Sequence, residues 1–100
     1  MSQDRPEAKG TVQVENERVK VTEWRFPPRG HTGWHRHGMD YVVVPITSGN
    51  LTIFDGKASH SAPLKQGIAY ARQIGVEHDV INDNDFEFVF VEIELKQPAG

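Results

Sequence analysis

Apolar and polar positions alternate with a period of two along most of this chain, the repeat of a strand whose two faces meet different surroundings. In Thr11–Glu15, Val12 and Val14 share one face. In Arg18–Phe26, Val19 and Val21 stand opposite Lys20, Thr22, Trp24 and Phe26. Trp34–His37 predicts a short strand. Asp40–Thr47 predicts a near-continuous apolar one, with an edge or bend at Pro45, which has no N–H to give a ladder. Leu51–Phe54, Lys57–Ala62, Ile68–Arg72, Glu77–Asn82 and Phe86–Lys96 complete the set. Turn-forming residues separate the strands: Asn16-Glu17, Pro27-Pro28-Arg29-Gly30, Ser48-Gly49-Asn50, Asp55-Gly56, Gly67, Gly75 and Asp83-Asn84-Asp85. No window carries a helical period with caps. Many short strands joined by Gly, Asn and Asp turns predict an all-β sandwich or barrel.

The last strand is apolar on both faces near its middle. Phe86, Phe88 and Phe90 share a face with Glu92 and Glu94, and Val89, Val91, Ile93 and Leu95 share the other. A second sheet would cover one face. The other is covered either by a partner subunit or simply by the strand's central place in one subunit.

One hundred residues make one domain, with a tail over 1–10, the folded unit over 11–96 and a short tail over 97–100. Hydrophobic content of 37% and charged content of 25% fit a globular chain rather than a disordered one. The net charge of −3 argues against nucleic acid or an anionic membrane as partner. With no cysteine, disulfides, thiolate zinc sites and cysteine nucleophiles are excluded, so any metal must be held by nitrogen and oxygen. No apolar run approaches the roughly 20 residues of a membrane span. The polar first ten residues lack a signal-peptide segment, which places the expected location in the cytoplasm.

The chemistry concentrates in Gly30-His31-Thr32-Gly33-Trp34-His35-Arg36-His37, and in Gly67, Gly75-Val76-Glu77-His78 and Asn82. At about 3.3 Å per residue, His35 and His37 stand about 6.6 Å apart on one face of a strand. Imidazoles at that separation can converge on one ion. His78 follows the Gly75 turn and is expected on a strand of the opposite wall. His31 shares the parity of the pair, but Gly33 interrupts the strand between them.

The two segments resemble the motifs of the cupin family, across roughly residues 11–96. The first motif reads Gly30, four residues, His35-Arg36-His37, with Gly49 closing the segment. The second reads Gly67, five residues, Gln73-Ile74-Gly75, two residues, His78, three residues, Asn82. It matches at every position except a proline, replaced by Gln73. The resemblance implies a double-stranded β-helix, or jelly-roll barrel. It also implies a divalent transition metal, Fe(II), Zn, Ni or Cu, held by His35, His37 and His78. The family's glutamate after His-x-His is missing. Tyr41 or Val42 falls at its position, and Asp40 lies one residue early with the wrong parity unless a bulge turns it inward. Three readings stay open: three histidines plus water, Asp40 as replacement ligand, or a barrel that binds no metal. Family habit further implies a homodimer through an exchanged N-terminal strand, for which Thr11–Glu15 is the candidate.

The remaining residues can be sorted by parity. Tyr41 can face the pocket and orient or protonate a ligand, or serve as a core tyrosine. Met39 is expected as pocket wall. Arg72, near Tyr70 and the barrel mouth, could hold a substrate carboxylate or form a surface salt bridge. Trp34 and Arg36 point away from the histidines, toward the outer surface or a subunit contact. His60 is expected to be exposed. Asn82 is expected to support a turn or to orient a ligating ring. Function divides into a metal-dependent enzyme on a small organic, possibly carboxylate, substrate (oxygenase- or isomerase-type), a ligand-binding or sensor module with or without metal, or a scaffold whose histidines are relics.

Overall fold

The computed structural model describes residues 5–96. Residues 1–4 of the expected tail and the closing segment 97–100 lie outside them. Nine strands are present among the described residues: β1 Lys9–Glu15, β2 Val19–Phe26, β3 His35–Arg36, β4 Asp40–Pro45, β5 Gly49–Phe54, β6 Ser59–Leu64, β7 Tyr70–Arg72, β8 Glu77–Ile81 and β9 Phe88–Leu95. All pairings between strands are antiparallel. One sheet has the order β1-β2-β9-β4-β7 and the other β3-β8-β5-β6. This is the two-sheet, all-β architecture the alternation predicts. Regular structure is already present ahead of the boundary expected at residue 11. Strand β1 already runs at Lys9, and the Ala8 N–H and Pro6 carbonyl bond the His31 backbone at 2.9 and 3.0 Å.

The larger sheet is built in cross-strand layers on its inner face. Phe26 pairs with Phe88, and Trp24 with Phe90 and Pro45. Thr22 pairs with Glu92 and Val43, with Tyr70 beyond. Lys20 pairs with Glu94 and Tyr41, with Arg72 beyond. The lower layers are apolar and meet Leu51 and Val80 of the facing sheet to form the core. Phe26 and Phe90 pack with ring centroids 5.3 Å apart and a 42° tilt, a favourable aromatic arrangement. Going up the layers, phenylalanine gives way to threonine, glutamate and tyrosine, so the barrel is packed at one end and polar at the other.

The outer face of the same sheet carries an aliphatic row in register across all five strands: Val14, Val21, Ile93, Val42 and Ala71. Strand β1 is exposed along its whole length. Pro45 ends β4 and is fully buried, and its carbonyl accepts the Gly67 N–H at 2.9 Å. Turn chemistry follows the sequence signals. The Asn16 side chain accepts the N–H groups of Arg18 and Val19, and Asp55 accepts those of Lys57 and Ala58.

Candidate metal centre and pocket

Strand β3 is only two residues long, and β8 lies beside it with His35 directly opposite His78. Directly paired residues share a face, with Cβ atoms about 5 Å apart. His78 therefore comes from the adjacent strand of the same sheet, not from the opposite wall as its spacing suggested. His37 lies just past β3, yet still runs beside the segment leading into β8. Its N–H donates to the Val76 carbonyl at 2.9 Å, and its carbonyl accepts the Gly75 N–H at 2.8 Å. Gly75 has φ of 98°, a left-handed conformation that a side chain disfavours. That turn sets the register that brings His78 to His35.

The three Nε2 atoms converge. His37 Nε2 lies 3.0 Å from both His35 Nε2 and His78 Nε2, and the three ligand atoms all lie within 4.8 Å of one another. The carbonyl of Gly33 can only accept, so His35 Nδ1, 2.9 Å away, carries the proton and Nε2 presents its lone pair. Burial, reinforced by the neighbouring imidazoles His35 and His78, pulls the His37 pKa down to about 4. Burial and then His35 lower His78 to about 4 as well. Both rings are neutral at physiological pH, the form in which imidazole ligates a metal. Two nitrogens bound to one ion at about 2.1 Å stand about 3 Å apart when they subtend a right angle. The observed spacing fits that requirement, so the donor set suits a divalent transition ion.

Tyr41 stands inside, as expected, but from β4 of the larger sheet rather than by continuing the strand of His35. It is 3% exposed and stacks on His37 with centroids 3.8 Å apart and planes 16° from parallel. Burial, with Tyr70 and Glu92 nearby, raises its phenol pKa far above the ordinary value, so the hydroxyl keeps its proton. The alternative in which Asp40 replaces the missing glutamate is overturned. No bulge interrupts β4, Asp40 pairs with Leu95 on the outer face, and its Oδ1 accepts the Ile74 N–H at 2.7 Å. Val42 also faces outward, in the aliphatic row. Arg72 shares a layer with Tyr41 but is exposed. Its guanidinium lies 4.6 Å over the Tyr70 ring and donates to the Ala71 carbonyl at 2.8 Å.

The histidines border a cavity of about 270 Å³ walled by Trp24, Tyr41, Ile53, Val80 and Phe90. Arg36 reaches its rim, while Met39, expected in the wall, does not line it. A second cavity of about 640 Å³ shares Tyr41, Tyr70 and His78 with the first and is bordered by Arg72 and by the exposed His60. His31 is held apart from the trio. Its Nδ1 lies 3.1 Å from Asp79 Oδ2, and Asp79 Oδ1 accepts the Gly33 N–H at 3.0 Å. Asn82 is fully buried and supports the turn: its amide donates to the carbonyls of Phe86 and Pro27 at 2.8 and 3.1 Å.

Sequence reasoning missed Glu92. Its carboxyl lines the first cavity, is 8% exposed, and lies 3.4 Å from Trp24 Nε1 and 3.8 Å from His37 Nδ1. Burial, then the like charge of Glu94, raises its pKa to about 7. The signal was present: a glutamate on the phenylalanine face of a core strand must point inward.

No family model matches the chain. It is 56% identical over 92 residues to the β-alanine degradation protein BauB of Pseudomonas aeruginosa, spanning 92% of this chain and 97% of that protein. The crystal structure of a cupin domain from Bordetella pertussis Tohama I matches at 60% identity with a TM-score of 0.93, over 96% of this chain and 100% of that one. A Klebsiella pneumoniae protein with a double-stranded β-helix domain shares the fold at 23% identity and a TM-score of 0.75, over 99% of this chain and 85% of that one. With near-complete overlap at this level of identity, and the histidine trio in the barrel, the chain belongs to the cupin family.

Proposed function

We propose that this cupin is a metal-dependent enzyme of small-molecule catabolism, oxygenase- or isomerase-type, with His35, His37 and His78 holding a divalent transition ion. The observation that carries the reading is the meeting of three Nε2 atoms, 3.0 Å apart at their closest, on the wall of a cavity sized for a small organic molecule. When bound, such an ion supplies Lewis acidity and, if it is iron or copper, a redox couple. The chain's own groups do the rest. Gly33 fixes the His35 tautomer, Tyr41 stacks His37 in place, and its protonated phenol can donate a hydrogen bond or a proton to a ligand in the cavity. Val43, Val80 and Phe90 exclude water from the walls. The name of the Pseudomonas relative ties that protein to β-alanine breakdown, which favours a small amino-acid-derived substrate for this chain. Arg72, its guanidinium over Tyr70, borders the second cavity rather than the first, so it does not anchor a carboxylate beside the histidines.

Among the described residues no carboxylate oxygen joins the three converging imidazole nitrogens, which favours the second reading, a non-catalytic ligand-binding or sensor cupin. Metal analysis of untagged protein purified without chelators tests the first. One divalent ion per chain is expected, lost in His35→Ala and His78→Ala. Metal-free protein under metal-replete conditions refutes it, and metal without turnover of any amino-acid-derived compound favours the sensor.

The same proposal includes a homodimer. The aliphatic row on the outer face of the larger sheet and the wholly exposed β1 give a second copy a surface to cover, and an isologous pairing sets like rows against each other.

A further inference from the structure

Charge is distributed unevenly around the first cavity. Glu92 and Glu94, two residues apart on β9, both face it, whereas the one cation bordering it, Arg36, is exposed at the rim. Arg72 borders the other cavity. Lys20 is paired in register with Glu94 but does not line the cavity and makes no ion pair with it within 4 Å. The Glu92 carboxyl is poorly satisfied for a group so buried. One oxygen receives a single long bond, 3.4 Å from Trp24 Nε1. The other has His37 Nδ1 at 3.8 Å, beyond hydrogen-bond reach. The second oxygen is not sealed off but open to the cavity, where it keeps acceptor capacity that a cationic donor can use in place of water. Around it stand Trp24 and Phe90, aromatic rings of the kind that attract cations, while Tyr41 is stacked on His37 and Tyr70 already carries the Arg72 guanidinium.

We propose that this end of the cavity is a subsite for the protonated amine of a small organic ligand, seated between Glu92 and Glu94 against the aromatic wall. The ammonium supplies the donors that the two carboxylates lack, and its short aliphatic stem replaces water along Val43, Ile53 and Val80. A ligand carboxylate is excluded from the same place by the two glutamates. The inference deepens the proposed function by naming an amine-bearing substrate class, yet the subsite needs no metal.

The test is calorimetric binding of n-butylamine, 1-butanol and butyrate to the protein as purified, at about pH 8, with its metal content recorded in parallel. At that pH the amine is charged and glutamate is ionised in the ligand's presence. Butylamine should bind about tenfold or more tighter than either analogue, the size of one charge-assisted hydrogen bond. Glu92→Gln should erase that preference while leaving the metal content unchanged. Equal or tighter binding of butyrate, or full amine affinity in folded Glu92→Gln, overturns the proposal. If Glu92→Gln fails to fold, Glu94→Gln decides: a loss of about threefold or more supports the subsite and an unchanged affinity overturns it. Absence of metal with the amine preference intact would sink the metal reading alone.

Discussion

Asn82→Ala isolates the junction that joins β2 to β9 at the packed end of the barrel. The Asn82 amide donates at 2.8 Å to Phe86 and 3.1 Å to Pro27, with a longer 3.4 Å contact to Phe26, and Oδ1 accepts from the Asn84 N–H and side-chain amide at 3.1 and 2.8 Å. Four of these bonds are of normal length. At about 1 kcal/mol net for each, truncation costs about 4 kcal/mol, and the stranded carbonyls, at a fully buried site, have little access to water. A domain of this size is stable by about 5–15 kcal/mol, so the loss is a large fraction of the total. The expected fall in melting temperature is about 15–30 °C. Urea unfolding would read it as a lower midpoint with an unchanged slope. Asn82→Asp, which keeps the size and the acceptors but removes the donors, should do at least as much harm at neutral pH. A cost below about 1 kcal/mol in Asn82→Ala, or near-wild-type stability in Asn82→Asp, would refute the view that the amide donors hold this turn. Because the Asn82 side chain hydrogen-bonds to none of the three histidines, a folded variant should keep its metal, which rules on the alternative that it orients a ligating ring.

Three further outcomes follow from the site and the outer face. Metal-free protein should lose stability as pH falls from about 6.5 to about 4: His37 and His78 titrate near 4 when folded but at 6.5 when unfolded, so the unfolded chain takes up protons first. Glu92, raised to about 7, works the other way, its contribution being full below 4.5 and lost as pH rises through 7, but it is one group against two; a melting temperature that is flat or rising on acidification to 4.5 would contradict this. Tyr41→Phe keeps the stack on His37 and should bind metal normally while turnover falls about 10²-fold, the scale of a lost proton donor, whereas unchanged turnover would reduce Tyr41 to a packing residue. Val21→Glu or Ile93→Glu places a charge in the middle of the outer aliphatic row and should convert a dimer to a monomer in light scattering without unfolding it; a monomeric wild type would end the dimer reading.

The linear pattern determined which residues form strands, where they turn and which side chains share a face, because alternation and turn chemistry are properties of a few consecutive residues. Parity was enough to put His35 and His37 on one side, and the Gly75 turn with its spacing was enough to add His78; Tyr41 reaches the same cavity from the other sheet, because the chain crosses between sheets after β3, and Met39, of the same parity, does not line it. Which faces meet is another matter, since it depends on pairings between distant segments. The direct pairing of β3 with β8 made His78 a same-sheet neighbour of His35. The unbroken register of β4 with β9 turned Asp40 outward to the Ile74 N–H, and the same layers set Glu92 beside the histidines and left Arg72 on Tyr70. A period of two assigns a residue to one of two faces, but only long-range packing decides whether that face lines a cavity, a core or the open surface.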